Sequence, residues 1–337
     1  MSRSENREPL ISVVVPVYNE AEVIAEFWRR LEGAMDGIEG TRFHAIFVDD
    51  GSSDGSYDML RMLAKRDSRV SVLKLSRNFG KESAMTAGLD FARGEWTVII
   101  DADLQDPPEL IPKMLQRAQL GYDVVLARRA TRQGESWHKK WFARMFYRLM
   151  GALKPGFRLP PDTGDYRLMS RRAVEAIGEL RESHRFMKGI FAWIGFPTYE
   201  LLYDRDPRHD GHSKFNFFKL LNHAIDGITS FSTAPLRFAT YFGLFVSLLA
   251  FTYGSLIVIK TLIFGEPVAG FPTIMTSILF IGGVQLLCIG VIGEYVGRIY
   301  GETKHRPLYL LEEIHGTAPT DTPETTAPAA GGMSSPE

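Results

Sequence analysis

Two carboxylates stand two residues apart in Asp101-Ala102-Asp103-Leu104-Gln105-Asp106. They follow the apolar, β-rich run Trp96-Thr97-Val98-Ile99-Ile100, flanked by Gly94 and by Pro107-Pro108, a pattern that predicts a short buried strand. Carboxylates placed where a strand runs out into a loop are hard oxygen donors. They suit Mg²⁺ or Mn²⁺, which take carboxylates, phosphate oxygens and water. A lone Asp-x-Asp is more often a polar turn, so the motif gains weight only from its company.

That company is a set of similar strand ends. The β-rich run 11–15 stops at Pro16 and leads through Val17-Tyr18-Asn19-Glu20 into helical spacing over 21–28, with carboxylates in the first turn. A second strand, 45–48, ends in Asp49-Asp50-Gly51-Ser52-Ser53-Asp54-Gly55-Ser56. A third, 70–75, ends in Ser76-Arg77-Asn78-Phe79-Gly80-Lys81-Glu82, and a fifth, 123–127, ends in Arg128-Arg129. Strands alternating with helical stretches predict an α/β fold with a mostly parallel sheet, whose ligands bind at the carboxyl ends of the strands. Glu20 and Asp50 suit a base or ribose, Arg77 and Lys81 suit phosphates, and Asp101, Asp103 and Gln105 suit a metal held against a diphosphate. A single acid at a strand end is usually structural. Five matched ends fit one ligand.

These residues carry a resemblance. Val13-Val14-Val15-Pro16-Val17-Tyr18-Asn19-Glu20, Val48-Asp49-Asp50-Gly51-Ser52-Ser53-Asp54 and the Asp101 to Pro108 motif resemble the family 2 inverting glycosyltransferases of GT-A fold. Ser76-Arg77-Asn78-Phe79-Gly80-Lys81-Glu82, Thr163-Gly164-Asp165-Tyr166-Arg167-Leu168-Met169 and Gly293-Glu294-Tyr295-Val296-Gly297-Arg298 are similar to the polyprenyl-phosphate glycosyltransferases of the bactoprenol glucosyltransferase (GtrB) type. Dolichol-phosphate mannose synthase is a more distant relative. The resemblance runs from about residue 10 to about 311.

Length and composition are consistent with this. The 337 residues leave room for one large α/β domain, expected over 11–215, and an appendage. A net charge of −1 gives no argument for nucleic acid. A single cysteine, Cys288, excludes an internal disulfide and a cysteine-based zinc cluster. The polar start, 1–10, does not read as a signal peptide. Two stretches without charge, 238–259 and 267–293, match the ~20 apolar residues that span a bilayer. They predict a transmembrane hairpin within 236–298, with helices over about 236–262 and 271–295. Arg237 before it and Arg298, Lys304 and Arg306 after it place both termini and the catalytic domain in the cytoplasm by the positive-inside rule, at the inner (plasma) membrane. Residues 137–150, with Lys140, Arg144 and Arg148 along one line, predict an interfacial helix; a helix packed on the domain would show the same pattern. A second interfacial helix is expected over 216–235, a cytoplasmic juxtamembrane segment over 299–314, and a disordered tail over 315–337.

The resemblance implies transfer of a sugar from a nucleoside diphosphate to a lipid phosphate, with Mg²⁺ or Mn²⁺ as cofactor. It implies Pro16, Tyr18, Glu20, Asp50, Arg77, Lys81, Asp101 and Ala102 around the donor nucleotide, and Asp103 and Gln105 as the preferred metal ligands. Asp101 is expected on the metal directly, through water, or on the sugar and ribose. The nucleophile would be a phosphate oxygen, already anionic near neutral pH, so positioning outweighs proton removal. Asp165 is the candidate catalytic carboxylate by resemblance, with Tyr166 where relatives often have Phe; a loop-bracing acid is the structural alternative. Arg205, Arg208, Ser213 and Lys214 form a basic loop suited to an anionic headgroup, the acceptor loop in relatives, although a solvated basic loop would look the same. His209 and His212 have no metal spacing. Arg129 matches a family arginine facing the acceptor phosphate. The resemblance favours UDP-glucose over GDP-mannose, an undecaprenyl or other polyprenyl phosphate acceptor, and a tetramer. Two other functions share part of this pattern. A processive polysaccharide synthase needs more spans and a Gln-x-x-Arg-Trp motif, which is absent. An inactive nucleotide-sugar sensor or scaffold is opposed by the intact acids Asp50, Asp101, Asp103 and Asp165.

Overall fold

The computed structural model describes residues 8–129, 163–203, 234–264 and 270–316. The described residues form eight strands: β1 (Leu10–Val17), β2 (Arg42–Asp49), β3 (Val70–Leu75), β4 (Trp96–Ile99), β5 (Val124–Arg129), β6 (Thr163–Ser170), β7 (Thr198–Tyr203) and β8 (Leu311–His315). The helices are α1 (Ile24–Asp36), α2 (Ser56–Arg66), α3 (Lys81–Phe91), α4 (Ile111–Ala118), α5 (Arg171–Glu179), α6 (Met187–Trp193), α7 (Ala234–Phe264) and α8 (Phe271–Thr303). The chain divides into two compact units. One gathers Met1–Val125, Tyr166–Val174 and Tyr309–Glu337; the other gathers Leu126–Asp165 and Glu175–Leu308.

The first unit is built on a mixed, mostly parallel sheet. β1 pairs in parallel with β2 and β4, and β2 in parallel with β3. β6 closes one side antiparallel to β4, and β8 the other side antiparallel to β3. Ile11, Val13, Val14 and Val15 are all 0% exposed, because a central parallel strand is covered on both faces. Phe27 and Leu31 of α1, Leu60 of α2 and Met85 of α3 supply the covering layers. α3 lies close on β1: a Cβ added at Gly88 would sit 2.2 Å from Val14 Cγ1.

Two differences from the sequence expectation have physical causes. Regular helix begins at Ile24, not at Ala21, because residues 21–23 form a turn. There Glu20 O accepts the amides of Val23 and Ile24 at 3.1 and 3.3 Å. The second is β8, which falls across the segments expected to be juxtamembrane and tail. Lys74 pairs with Glu312 at 3.0 Å, and the Tyr57 hydroxyl donates to Glu313 Oε2 at 2.6 Å. Tyr309 donates to Asp90 Oδ2 at 2.8 Å, and Ser76 N to Leu310 O at 2.9 Å.

In the second unit Arg128 of β5 pairs with Glu200 of β7 at 2.7 Å. Helices α7 and α8 lie side by side, with Cys288 Sγ 3.8 Å from Ala239 O. Cys288 is a free thiol. Glu302, at the end of α8, accepts the Ser183 amide at 2.8 Å. Among the described residues, one helical stretch is long and apolar enough to cross a membrane, Phe280–Thr303, and Phe238–Tyr253 is a shorter apolar one. The expected helix at 137–150, most of 216–235, the basic loop with Arg205, Arg208, Ser213 and Lys214, and residues 317–337 lie outside the described residues.

Candidate active site

The polar residues of the first two strand ends bind each other before they could bind a ligand. Asn19 adopts left-handed backbone, φ 56°, which Asn tolerates better than most residues. Its amide donates to Ser52 Oγ at 3.0 Å, and its side-chain Oδ1 accepts the Ser53 amide at 2.8 Å. The Glu20 amide donates to Ser56 Oγ at 2.9 Å and the Ala21 amide to Asp54 Oδ2 at 3.0 Å. The serine-rich Asp-Gly-Ser-Ser-Asp-Gly-Ser run is therefore a clamp on the loop after β1. Burial acts to raise the Asp54 pKa, but the hydrogen bonds from Ser56 and Ala21 outweigh it and hold the carboxyl below its ordinary range.

Asp50, 3% exposed at the end of β2, accepts the Phe79 amide at 2.7 Å and the Gly80 amide at 2.9 Å. It shapes the turn into α3. Burial pushes its pKa up, against the pull of those two amides. The approach of the two loops is close enough to require glycine. Gly51 has φ +73°, and a Cβ there would lie 2.8 Å from backbone atoms of Arg77 and Asn78. Arg77 itself points outward: its guanidinium stacks 4.0 Å above the Phe79 ring and donates to Asn78 O at 3.0 Å.

After β4 the chain passes through Asp101, Ala102 and Asp103 to Leu104, whose φ of 60° marks a strained turn. Asp103 Oδ1 accepts the Gln105 amide at 3.1 Å. Across from it Lys81, the first residue of α3, places Nζ 2.8 Å from Asp101 Oδ2. A cleft of about 230 Å³ unites these pieces. Pro16 of β1 and Tyr18 and Glu20 of the loop after it line it, together with Asp50 just past β2, Lys81 of α3, and Asp101, Ala102 and Asp103 of the loop after β4. Asn78, Gly80 and Ala84 line it as well and are not among the site residues expected from the sequence. Asn78 and Gly80 stand in the motif between β3 and α3, and Ala84 lies in the first turn of α3. The amino end of α3 adds its helix dipole, which favours a negative ligand such as a diphosphate.

Arg77 and Gln105 do not line the cleft. Gln105 is 3% exposed, and its side-chain nitrogen Nε2 has no hydrogen-bond partner among the described residues. Asp165, half-buried on β6, belongs to the second unit and is also not a lining residue. Arg129 ends β5, and its side chain lies outside the described residues. Tyr166, 1% exposed, donates its hydroxyl to Pro107 O at 2.9 Å, so the Tyr does more than keep a ring there: it ties β6 to the loop that follows Asp101 and Asp103.

Asp101 and Asp103 fit a divalent cation as partial ligands. Among the described residues no group of three His, Cys, Asp or Glu surrounds a common point. A cation here would complete its shell with diphosphate oxygens and water, which is how Mg²⁺ is usually held.

A mostly parallel α/β sheet with carboxylates, a lysine and a helix amino end at its carboxyl edge places these groups where such sheets bind their ligands. The sequence matches Glycosyl transferase family 2 over residues 12–178 and the GtrB C-terminal hairpin over residues 234–299. It is 47% identical over 302 residues to the bactoprenol glucosyl transferase of Shigella phage SfV, covering 90% of this chain and 98% of that one. It is 46% identical over 306 residues to an uncharacterized glycosyltransferase of Synechocystis, covering 91% and 96%. Among solved structures, the glucosyl-3-phosphoglycerate synthase of Mycobacterium tuberculosis, in complex with Mn²⁺, UDP and phosphoglyceric acid, is similar with 19% identity and a TM-score of 0.48, covering 64% of this chain and 75% of that one. The chain belongs to glycosyl transferase family 2, and it is a glycosyltransferase.

Proposed function

We propose that this enzyme transfers glucose from UDP-glucose to undecaprenyl phosphate, or a similar polyprenyl phosphate, at the membrane surface, inverting the anomeric centre. The observation that supports it most is the single cleft uniting Glu20, Asp50, Lys81, Asp101 and Asp103, in a chain alignable almost end to end with relatives named as bactoprenol glucosyl transferases. Asp50 and Glu20 suit the nucleoside, and Lys81 with the amino end of α3 suits the diphosphate. Asp101 and Asp103 would hold Mg²⁺ or Mn²⁺, which supplies electrophilic stabilisation of the departing diphosphate. Asp165 would orient the acceptor. Arg129, Arg205, Arg208, Ser213 and Lys214 would hold the lipid phosphate, whose oxygen is already ionised and needs placement more than a base. The helices α7 and α8 would anchor the enzyme as a membrane hairpin, with the catalytic domain and both termini on the cytoplasmic side. A tetramer would be its assembled form.

The test is a transfer assay. The full chain in detergent, given radiolabelled UDP-glucose and undecaprenyl phosphate, should move label into the organic phase. Chelation should stop transfer, and added Mg²⁺ or Mn²⁺ should restore it. Full transfer after exhaustive chelation would reject the metal, and no transfer with either cation would reject the acceptor or the donor.

A further inference from the structure

We propose that Lys81 is a built-in competitor for the divalent cation, holding Asp101 in the donor-free enzyme and leaving it for the donor's diphosphate. The inference rests on the donor-cleft reading above and adds an order to it: cation and donor enter together.

The geometry is specific. Lys81 Nζ lies 2.8 Å from Asp101 Oδ2, and both residues line the cleft with Asp103. The lysine side chain is 44% exposed and the aspartate 28%. A pair so open to water is weak, so exchanging its partner costs little. Lysine also suits the task. Its ammonium is a compact charge on a flexible four-carbon arm, and it can be re-aimed without moving the backbone.

A divalent cation and an ammonium compete for one carboxylate, because each repels the other at contact distance. With no diphosphate present, Lys81 has Asp101 to neutralise, and metal binding is opposed. A diphosphate at the amino end of α3 offers Lys81 a second anion and leaves Asp101 to the metal. Metal should then raise UDP affinity and UDP should raise metal affinity by the same factor, as linkage requires.

Removing the ammonium should therefore push the two affinities in opposite directions. The probes are Mn²⁺ alone, followed by electron paramagnetic resonance, and UDP alone, followed by calorimetry, with full-length protein in detergent. K81M should bind Mn²⁺ roughly five- to tenfold more tightly at low ionic strength and should bind UDP more weakly. K81R keeps the charge and should stay near the wild type in both. If the wild type takes up both probes and K81M leaves Mn²⁺ affinity unchanged or lower, the competition is overturned and the donor cleft stands. If the wild type takes up neither UDP nor Mn²⁺, the donor cleft itself is overturned, and the competition with it.

Discussion

Asp103 offers the cleft a carboxylate already oriented by the Gln105 amide. Its replacement by alanine should lower turnover by about a hundredfold or more, as when a group stabilising developing charge is lost, with little change in thermal midpoint. Steady-state kinetics beside a melting curve would separate the two effects. Tyr166→Phe should instead cost roughly 0.5–1.5 kcal/mol of stability, because the bond to Pro107 O goes. Chemical denaturation would read it. His44 predicts a pH effect: its ring is buried, Nε2 meets Ser71 Oγ at 2.8 Å, and burial pushes its pKa down to about 4. The folded state thus binds its proton less readily than the unfolded one. Stability from this residue is complete above the unfolded value of about 6.5 and is lost as pH falls towards 4, roughly 3 kcal/mol in all. His44→Gln should flatten that acid limb in denaturation curves taken across pH. The acids of the cleft were legible as residue types at strand ends. That Asp50 and Asp54 are occupied by loop amides was not, because a sequence shows no partners across 29 or 33 positions.

At the scale of elements, the central strands were legible because a parallel strand buried on both faces must be apolar throughout. β8 was not. Leu311-Glu312-Glu313-Ile314-His315 carries two acids and no β-rich run, and it is held by Lys74, Tyr57 and pairing with β3. Leu310, the residue just before it, fixes the base of the loop that supplies Asn78 and Gly80 to the cleft, accepting the Ser76 amide. Ending the chain after Leu308 should raise the KM for the donor several-fold more than it lowers kcat. Equal losses in both would show β8 to be remote from donor binding. Gly88→Ala tests the α3–β1 contact: the added methyl meets Val14, and the expected cost is about 1–3 kcal/mol, read by denaturant unfolding.

Across the whole molecule, a catalytic sheet whose final strand follows the long apolar helices suits an enzyme that joins a water-soluble donor to a lipid. Fold class and family were legible because ordered motifs recur at successive strand ends. The loop at 205–214 was legible only as a basic run, since a solvated loop has the same composition. The most direct test of the central claim is product analysis. Purified enzyme with UDP-glucose, undecaprenyl phosphate and Mg²⁺ should release UDP in step with formation of a lipid monophosphate glucose, whose anomeric configuration by NMR is opposite to that of the donor. UDP release without a lipid product, a polymer, or a retained anomer would contradict the account.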